Sequence, residues 1–467
     1  MRAVLLAVAL ATGGCAFQIG SELGAGRDAG DDGDANASGD AAADGDADSD
    51  AGSDADADAD ADAGGDADAG AAPEGPAAYG ADRTQSPITP SVAEVIRGIV
   101  ALGAGAEDVF AKVGDSITVS WGFLHCFADE GLDLGGREDL RPTVDHFGAA
   151  DVGGTTPWDR ESLAAGVGWS AWRLLEGPPT ALDSELDAIS PAFAVVMLGT
   201  NDVGYRNAID YGRDMLAIAG VLIERGVVPI LESIPPRDDS ASADAGVPLF
   251  NLVVRGIAQG RQVPFVDLHR EMEVLPDHGL SADGVHPNIL GDGCDFSPAG
   301  LEHGYEVKNL VTLEALDRVR AVVVDGAAAP DPAAPARDGD GTAAAPFVIG
   351  GLPFTDMGTT AAAPSDELDV YSGCGAGEDE SGPEVVYELD VEVPTRLQAI
   401  VIDQGEVDVD LQLLGGAVRE DACLARDDGE IDADLAPGVY FLTVDSFVPG
   451  DGVPREGEFL LVVRATS

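Results

Sequence analysis

The feature that most restricts the fold of this chain is an alternation running from about Ala81 to Gly326. Strand-length apolar runs, "VFAKV" (109–113), "SLAAGV" (162–167), "FAVVML" (193–198), "VVPILES" (227–233) and "VPFVDL" (263–268), are separated by helix-like stretches such as "ALDSELDAIS" and "AIDYGRDMLAIAGVLIERG". A last helix-like stretch, "YEVKNLVTLEALDRVRAVV", closes the region. Strands that are apolar at nearly every position are buried on both faces, which indicates a parallel sheet covered by helices on each side. In such sheets, sites form in the loops at the carboxyl ends of the strands.

The flanking segments have other textures. From Ser21 to about Gly80 the chain is nearly all Asp, Ala and Gly, a composition that cannot bury enough surface to offset its ordering entropy and that repels itself. We read residues 15–80 as an extended tether. Residues 327–346, rich in Pro and Ala, read as a linker between the alternating α/β domain at 81–326 and a β-rich domain at 347–467. In the latter, "EVVYELDVEV", "RLQAIVID", "VDVDLQLL", "GVYFLTVDSF" and "GEFLLVVRA" alternate with turn clusters, which suggests an antiparallel β-sandwich. Asp and Glu number 85 against 25 Lys and Arg, a net charge of -60. No basic stripe is visible, so the chain is expected to repel nucleic acid and anionic membrane surfaces.

"MRAVLLAVALATGGC" has a basic residue, an apolar core too short to span a membrane, and small residues before Cys15. This resembles a bacterial lipoprotein signal. The resemblance implies a signal peptide at 1–14, lipid on the Cys15 thiol, and export to the cell envelope. Thr12 departs from the apolar residue expected there. Membrane contact is expected through the lipid alone. In an exported chain the other four cysteines are free to pair.

The strand ends supply chemistry. The first run leads into "GDSIT" with Ser116, the third into "GTND" with Asn201, and "SADGVHPN" with Asp283 and His286 follows the fifth. A serine hydroxyl needs a base, which His286 can supply. Asp283 can fix the tautomer of that imidazole. The oxyanion of an acyl-transfer intermediate needs donors, for which the Ser116 N–H, the Asn201 amide and a glycine N–H are candidates. Ser116 also reads as the cap of the following helix.

"GDSIT", "GTND" and "DGVHP", in this order and at strand ends, resemble the SGNH (GDSL) hydrolase family over about Glu107 to Val323. The resemblance implies an α/β domain with a three-layer α/β/α flavodoxin-like fold, and a hydrolase of esters or thioesters. It makes Ser116 the nucleophile, His286 the base, Asp283 its orienting partner and Asn201 an oxyanion donor. The family's glycine falls on Gly168 in "GVGWSAWRLL", with Gly154 in "DVGGTT" as the rival. The resulting expectation is an exported, monomeric serine esterase acting on an ester substrate, such as an acylated saccharide. The alternative is a surface binding protein whose α/β domain has lost activity.

Two insertions, 127–161 and 289–304, are expected to lie near the site and shape its pocket, and a Cys126–Cys294 bridge would tie them together. The β-rich segment resembles the pre-peptidase C-terminal type of sandwich, with Cys374 and Cys423 placed to form a bridge inside it. His125, His146, His269, His278 and His303 have no partner at metal-ligand spacing, and no metal or organic cofactor is expected. Trp169 and Trp172 read as core residues. "SIPPRDD", after the fourth run, is expected to border the pocket.

Overall fold

The computed structural model describes residues 74–466 apart from 130, 362 and 376. The signal segment, Cys15 and most of the acidic tether lie outside the described residues. After a helix α1 (Pro90–Leu102), capped by Thr89 with proline in its first turn, the chain enters a parallel sheet β1 (Ala106–Gly114), β2 (Pro191–Met197), β3 (Val228–Glu232) and β4 (Phe265–Val266), hydrogen-bonded in that order. Phe110 pairs with Phe193, Val195 with Ile230 and Leu231 with Phe265. Every residue of β2 and β3 is buried, as their unbroken apolar runs require.

The run at 162–167 forms no strand. It touches β1 through a single parallel bridge, Gly114 to Ala165, with Gly114 N–H donating to Ala164 O (3.0 Å) and Gly166 N–H to Gly114 O (3.1 Å). The chain then turns, with Trp169 N–H donating back to Gly166 O and Gly168 at φ +74°, so pairing cannot continue. Counting this bridged segment, the order across the sheet reverses between β1 and β2, as in flavodoxin-like folds, and the crevice of such folds opens there.

Helices flank the sheet: α2 (Ser116–Val119), α3 (Arg141–Gly148), α4 (Ala181–Ile189), α5 (Ala208–Glu224), α6 (Ala241–Arg261), α7 (Leu268–Glu273) and α8 (Gly304–Val323). The first insertion is largely structural. Its Phe147 and Trp158 are fully buried and pack edge-on against Phe110 of β1. Phe296 of the second insertion lies against Phe127. Cys126 and Cys294 are joined by a disulfide, as are Cys374 and Cys423.

The C-terminal part contains strands β5 (Phe347–Ile349), β6 (Phe354–Thr359), β7 (Glu384–Val391), β8 (Thr395–Asp403), β9 (Val409–Gly415), β10 (Cys423–Asp427), β11 (Glu430–Leu435), β12 (Gly438–Ser446) and β13 (Glu458–Thr466). They form two sheets, β10-β9-β12-β7-β5 and β11-β8-β13-β6. The expected sandwich is therefore not wholly antiparallel, because β5 runs parallel to β7. Leu397, Ala399 and Val401 of β8 and Phe459, Leu461 and Val463 of β13 point between the sheets. Their alternate neighbours Ile400, Ile402, Leu460 and Val462 join the core of the α/β domain instead. The second sheet thus lies on α5 and α6.

Glycines on those helices allow the approach. A Cβ on Gly212 would come 2.5 Å from Ile402 Cδ1, on Gly256 2.9 Å from Leu460 Cδ1, and on Gly260 2.3 Å from Met357 Cβ. Arg213 to Asp403 (2.6 Å), Gln259 to the Thr355 carbonyl (2.7 Å) and Arg261 to Glu458 (2.8 Å) rim the contact. The middle of α6, residues 250–258, is buried on all sides, as a helix held between two sheets must be.

Two expected boundaries shift. Ala77 and Tyr79, assigned to the tether, are buried; Tyr79 donates its hydroxyl to Val263 O (2.9 Å). The segment read as a linker is held by its own contacts. Asp331 accepts from Ile88 N–H (2.8 Å) and Arg318 (2.6 Å), and Arg337 pairs with Asp356 (2.9 Å).

Candidate active site

β1 ends at Gly114, where a side chain would collide with Thr118 Oγ1 at 2.1 Å and Met197 O at 2.7 Å. Glycine there lets the chain turn at once into α2. The helix cap is Asp115, not Ser116: Asp115 Oδ1 accepts from Ile117 N–H at 2.9 Å, and Ser116 is the first helical residue. Its serine side chain is thereby free for other partners. α2 is a single turn of 4 residues.

Ser116 Oγ lies 2.8 Å from His286 Nε2, and His286 Nδ1 lies 2.8 Å from Asp283 Oδ2. The other Asp283 oxygen accepts the backbone N–H groups of Val285 and His286, each at 3.0 Å. Desolvation alone would raise the Asp283 pKa, but these backbone and imidazole donors together hold it at about 2, so the carboxylate stays ionised. Gly284 makes the turn possible at φ +68°, and a Cβ there would meet Asp239 N at 2.7 Å. The His286 and Asp283 side chains are 39% and 53% exposed, so the relay opens to solvent.

Asn201 follows β2. Its Nδ2 donates to Trp169 O at 2.9 Å, which ties it to the loop that carries Gly168 and leaves its second amide hydrogen available. Among the described residues neither the Ser116 nor the Gly168 N–H has an acceptor. The rival glycine is differently placed, since Gly154 N–H is donated to Asp151 Oδ1 at 2.6 Å. Trp169 and Trp172 are half-buried rather than core. Tyr205, exposed beside this loop, shares a hydrogen bond with Ser170.

Several supporting groups escaped the sequence reading. Glu185, fully buried, accepts both Arg160 Nε and Nη2 (3.0 and 2.9 Å) and the Leu163 N–H (2.9 Å), pinning the glycine-bearing loop. Asp202 accepts Ala171 N–H through both oxygens at 3.2 Å; burial raises its pKa to about 6 against the pull of that N–H and Arg206. Burial likewise raises Asp115 to about 6. Beneath the strand ends, Lys308 of α8 pairs with Glu232 of β3, both fully buried, and lies 4.3 Å from the centre of the Phe123 ring. "SIPPRDD", which the sequence already singles out, braces two loops: Arg237 donates to Thr200 O, and Asp238 N–H to Gly284 O at 2.9 Å. No spacing rule marks the pairs of Glu185 and Glu232, because Arg160 and Lys308 come from separate segments.

Among the other histidines, His125 contacts Asp159 (3.1 Å) and His278 contacts Asp238 (3.0 Å). His269 contacts Glu273 (3.2 Å), and His146 contacts the Glu107 carbonyl (2.9 Å). His303 contacts the Ala299 carbonyl at 3.2 Å.

A parallel sheet with Ser, His and Asp converging on the carboxyl ends of its strands defines a hydrolase-type α/β domain. Residues 113–292 match the sequence profile of the GDSL-like lipase/acylhydrolase family. Among solved structures, a GDSL-like lipase from Bacteroides thetaiotaomicron is 19% identical, with a TM-score of 0.31, covering 48% of this chain and 98% of its own. An acetylxylan esterase from Geobacillus stearothermophilus is 17% identical, with a TM-score of 0.30, covering 45% and 95%. A search of curated proteins gives no match.

Proposed function

We propose that this protein is an exported serine ester hydrolase that cleaves acyl or acetyl esters through an acyl-enzyme, and that the esters are borne on an envelope or external polysaccharide. The observation that carries the reading is the relay of two 2.8 Å contacts joining Ser116, His286 and Asp283. Ser116 Oγ attacks the ester carbonyl and passes its proton to His286 Nε2 as the new carbon–oxygen bond forms. Asp283, ionised at all working pH values, holds the Nδ1 proton and stabilises the imidazolium. The oxyanion takes hydrogen bonds from Ser116 N–H, Gly168 N–H and Asn201 Nδ2. Collapse expels the alcohol, which receives its proton from His286. Water then repeats the sequence on the acyl-enzyme and releases the acid.

A relay this exposed admits a bulky substrate from solvent. Export, and a lipid anchor at Cys15, rest on the N-terminal sequence pattern. The test is hydrolysis of p-nitrophenyl acetate by the full chain beside Ser116→Ala. We expect the variant to lose about six orders of magnitude in kcat, so that its hydrolysis falls to the assay background. Wild-type hydrolysis no faster than the variant, across several acyl lengths, would sink the reading.

A further inference from the structure

Beside α2 lies a cavity of about 360 Å³, lined in part by Lys112, Thr118, Trp121, His125 and Glu161. It borders the helix that opens with Ser116 and reaches Ala165, the residue bridged to Gly114. One of its buried polar groups has unspent hydrogen-bonding capacity. Lys112, 3% exposed, carries three donors, of which one finds an acceptor among the described residues, Trp158 O at 2.9 Å. Burial pushes the Lys112 pKa down to about 8, against the pull of Asp159, Glu185 and Glu161. At the mouth, Trp121 is 61% exposed, although an indole of that size is ordinarily covered.

These groups select among ligands. An alkyl chain in the cavity would leave the two spare Lys112 donors unsatisfied, which is costly. A phosphate or other polyanion would face the carboxylates of Asp159 and Glu161, because Arg160, the other cation of the lining, is already paired with Glu185. A neutral ring carrying several oxygens meets both conditions. Its oxygens can satisfy Lys112 while its C–H face lies on Trp121.

We infer that this cavity is a substrate subsite for a sugar ring of an acylated saccharide, with Trp121 as its platform and Lys112 as its polar floor. The inference rests on the ester-hydrolase reading and specifies the alcohol side of its substrate. The reaction at Ser116 is unchanged; the subsite holds the sugar whose hydroxyl leaves.

The test compares a methyl xylopyranoside carrying one acetyl group with p-nitrophenyl acetate. In Trp121→Ala and Lys112→Met, the ratio of kcat/KM for the glycoside to that for p-nitrophenyl acetate should fall about 10- to 100-fold, mainly through KM. An unchanged ratio in Trp121→Ala, whose exposed position leaves folding intact, would overturn the inference while leaving the esterase reading standing. So would a wild-type preference for p-nitrophenyl octanoate over the glycoside. If no ester is hydrolysed in a Ser116-dependent way, the esterase reading fails on its own. The subsite is then read by calorimetric titration of the same glycoside into the Ser116→Ala protein. Binding that weakens at least about tenfold when Trp121→Ala is added supports the subsite, and absence of binding refutes it.

Discussion

Replacing Gly256 and Gly260 on α6 by alanine, singly and together, tests whether the second sheet is seated on that helix. In an open helix interior, Gly to Ala stabilises by about 1 kcal/mol, because glycine loses the most backbone freedom on folding. Here the new methyl groups have no room. The one on Gly256 falls 2.9 Å from Leu460 Cδ1 and 3.1 Å from Thr355 Cβ, and the one on Gly260 falls 2.3 Å from Met357 Cβ. Overpacking of this kind costs about 1–3 kcal/mol. The net is then a loss of about 0–2 kcal/mol per site and about 2 kcal/mol for the pair. Gly98 on α1 is the control, since a Cβ there meets nothing within 4 Å. Gly98→Ala should gain about 1 kcal/mol. The assay is equilibrium urea unfolding of the three single variants and the pair. The decisive quantity is the sign difference between α6 and α1. If the α6 variants gain stability as Gly98→Ala does, the close approach of sheet to helix is refuted.

Lys308→Met leaves Glu232 buried without its partner and should cost about 3–5 kcal/mol, read by the same urea titration. Cys126→Ser with Cys294→Ser opens a link across 168 residues; the chain-entropy expression gives about 5 kcal/mol as its ceiling, and about 2–4 kcal/mol is the usual yield. The double variant should melt below wild type, and an unchanged melting temperature would contradict this. Asp115→Asn keeps the acceptor for Ile117 N–H and removes a buried charge. Because the folded Asp115 pKa, about 6, lies above the ordinary aspartate value of 3.8, the folded state binds the proton more tightly, and stability is lost as pH rises from about 4 to about 6. The variant should match wild type at pH ~4 and exceed it by about 1–3 kcal/mol above pH ~7, read as thermal unfolding across that range.

The catalytic-type geometry was legible because it is written in short motifs at strand ends: Ser116, Asn201, Asp283 and His286 come from segments whose burial pattern already located them. The segment 162–167 was read as a strand on apolar content, yet Gly166 and Gly168 turn it after one bridge. The cap was misplaced because Asp and Ser are both good caps and adjacent; the backbone angle at Asp115 decides between them. One signal was present and overlooked. "AIVID" and "FLLVV" are apolar at consecutive positions, whereas a sandwich strand with one face in water alternates. Ile400, Ile402, Leu460 and Val462 are the residues that break the alternation, and they are the ones that meet α5 and α6.

The seating of that sheet also bears on ancestry. A helix covered by a parallel sheet alone must show water a polar face, but α6 gives its outward face to Leu460 and Thr355 across Gly256, and α5 gives Gly212 to Ile402. The two parts of the chain have therefore become mutually obligate, and neither can be shed or exchanged by recombination at the 327–346 segment without stranding an apolar surface. Homologues that possess the parallel-sheet part alone should show larger, hydrophilic residues at the positions of Gly212, Gly256 and Gly260. Those that possess both should keep them small.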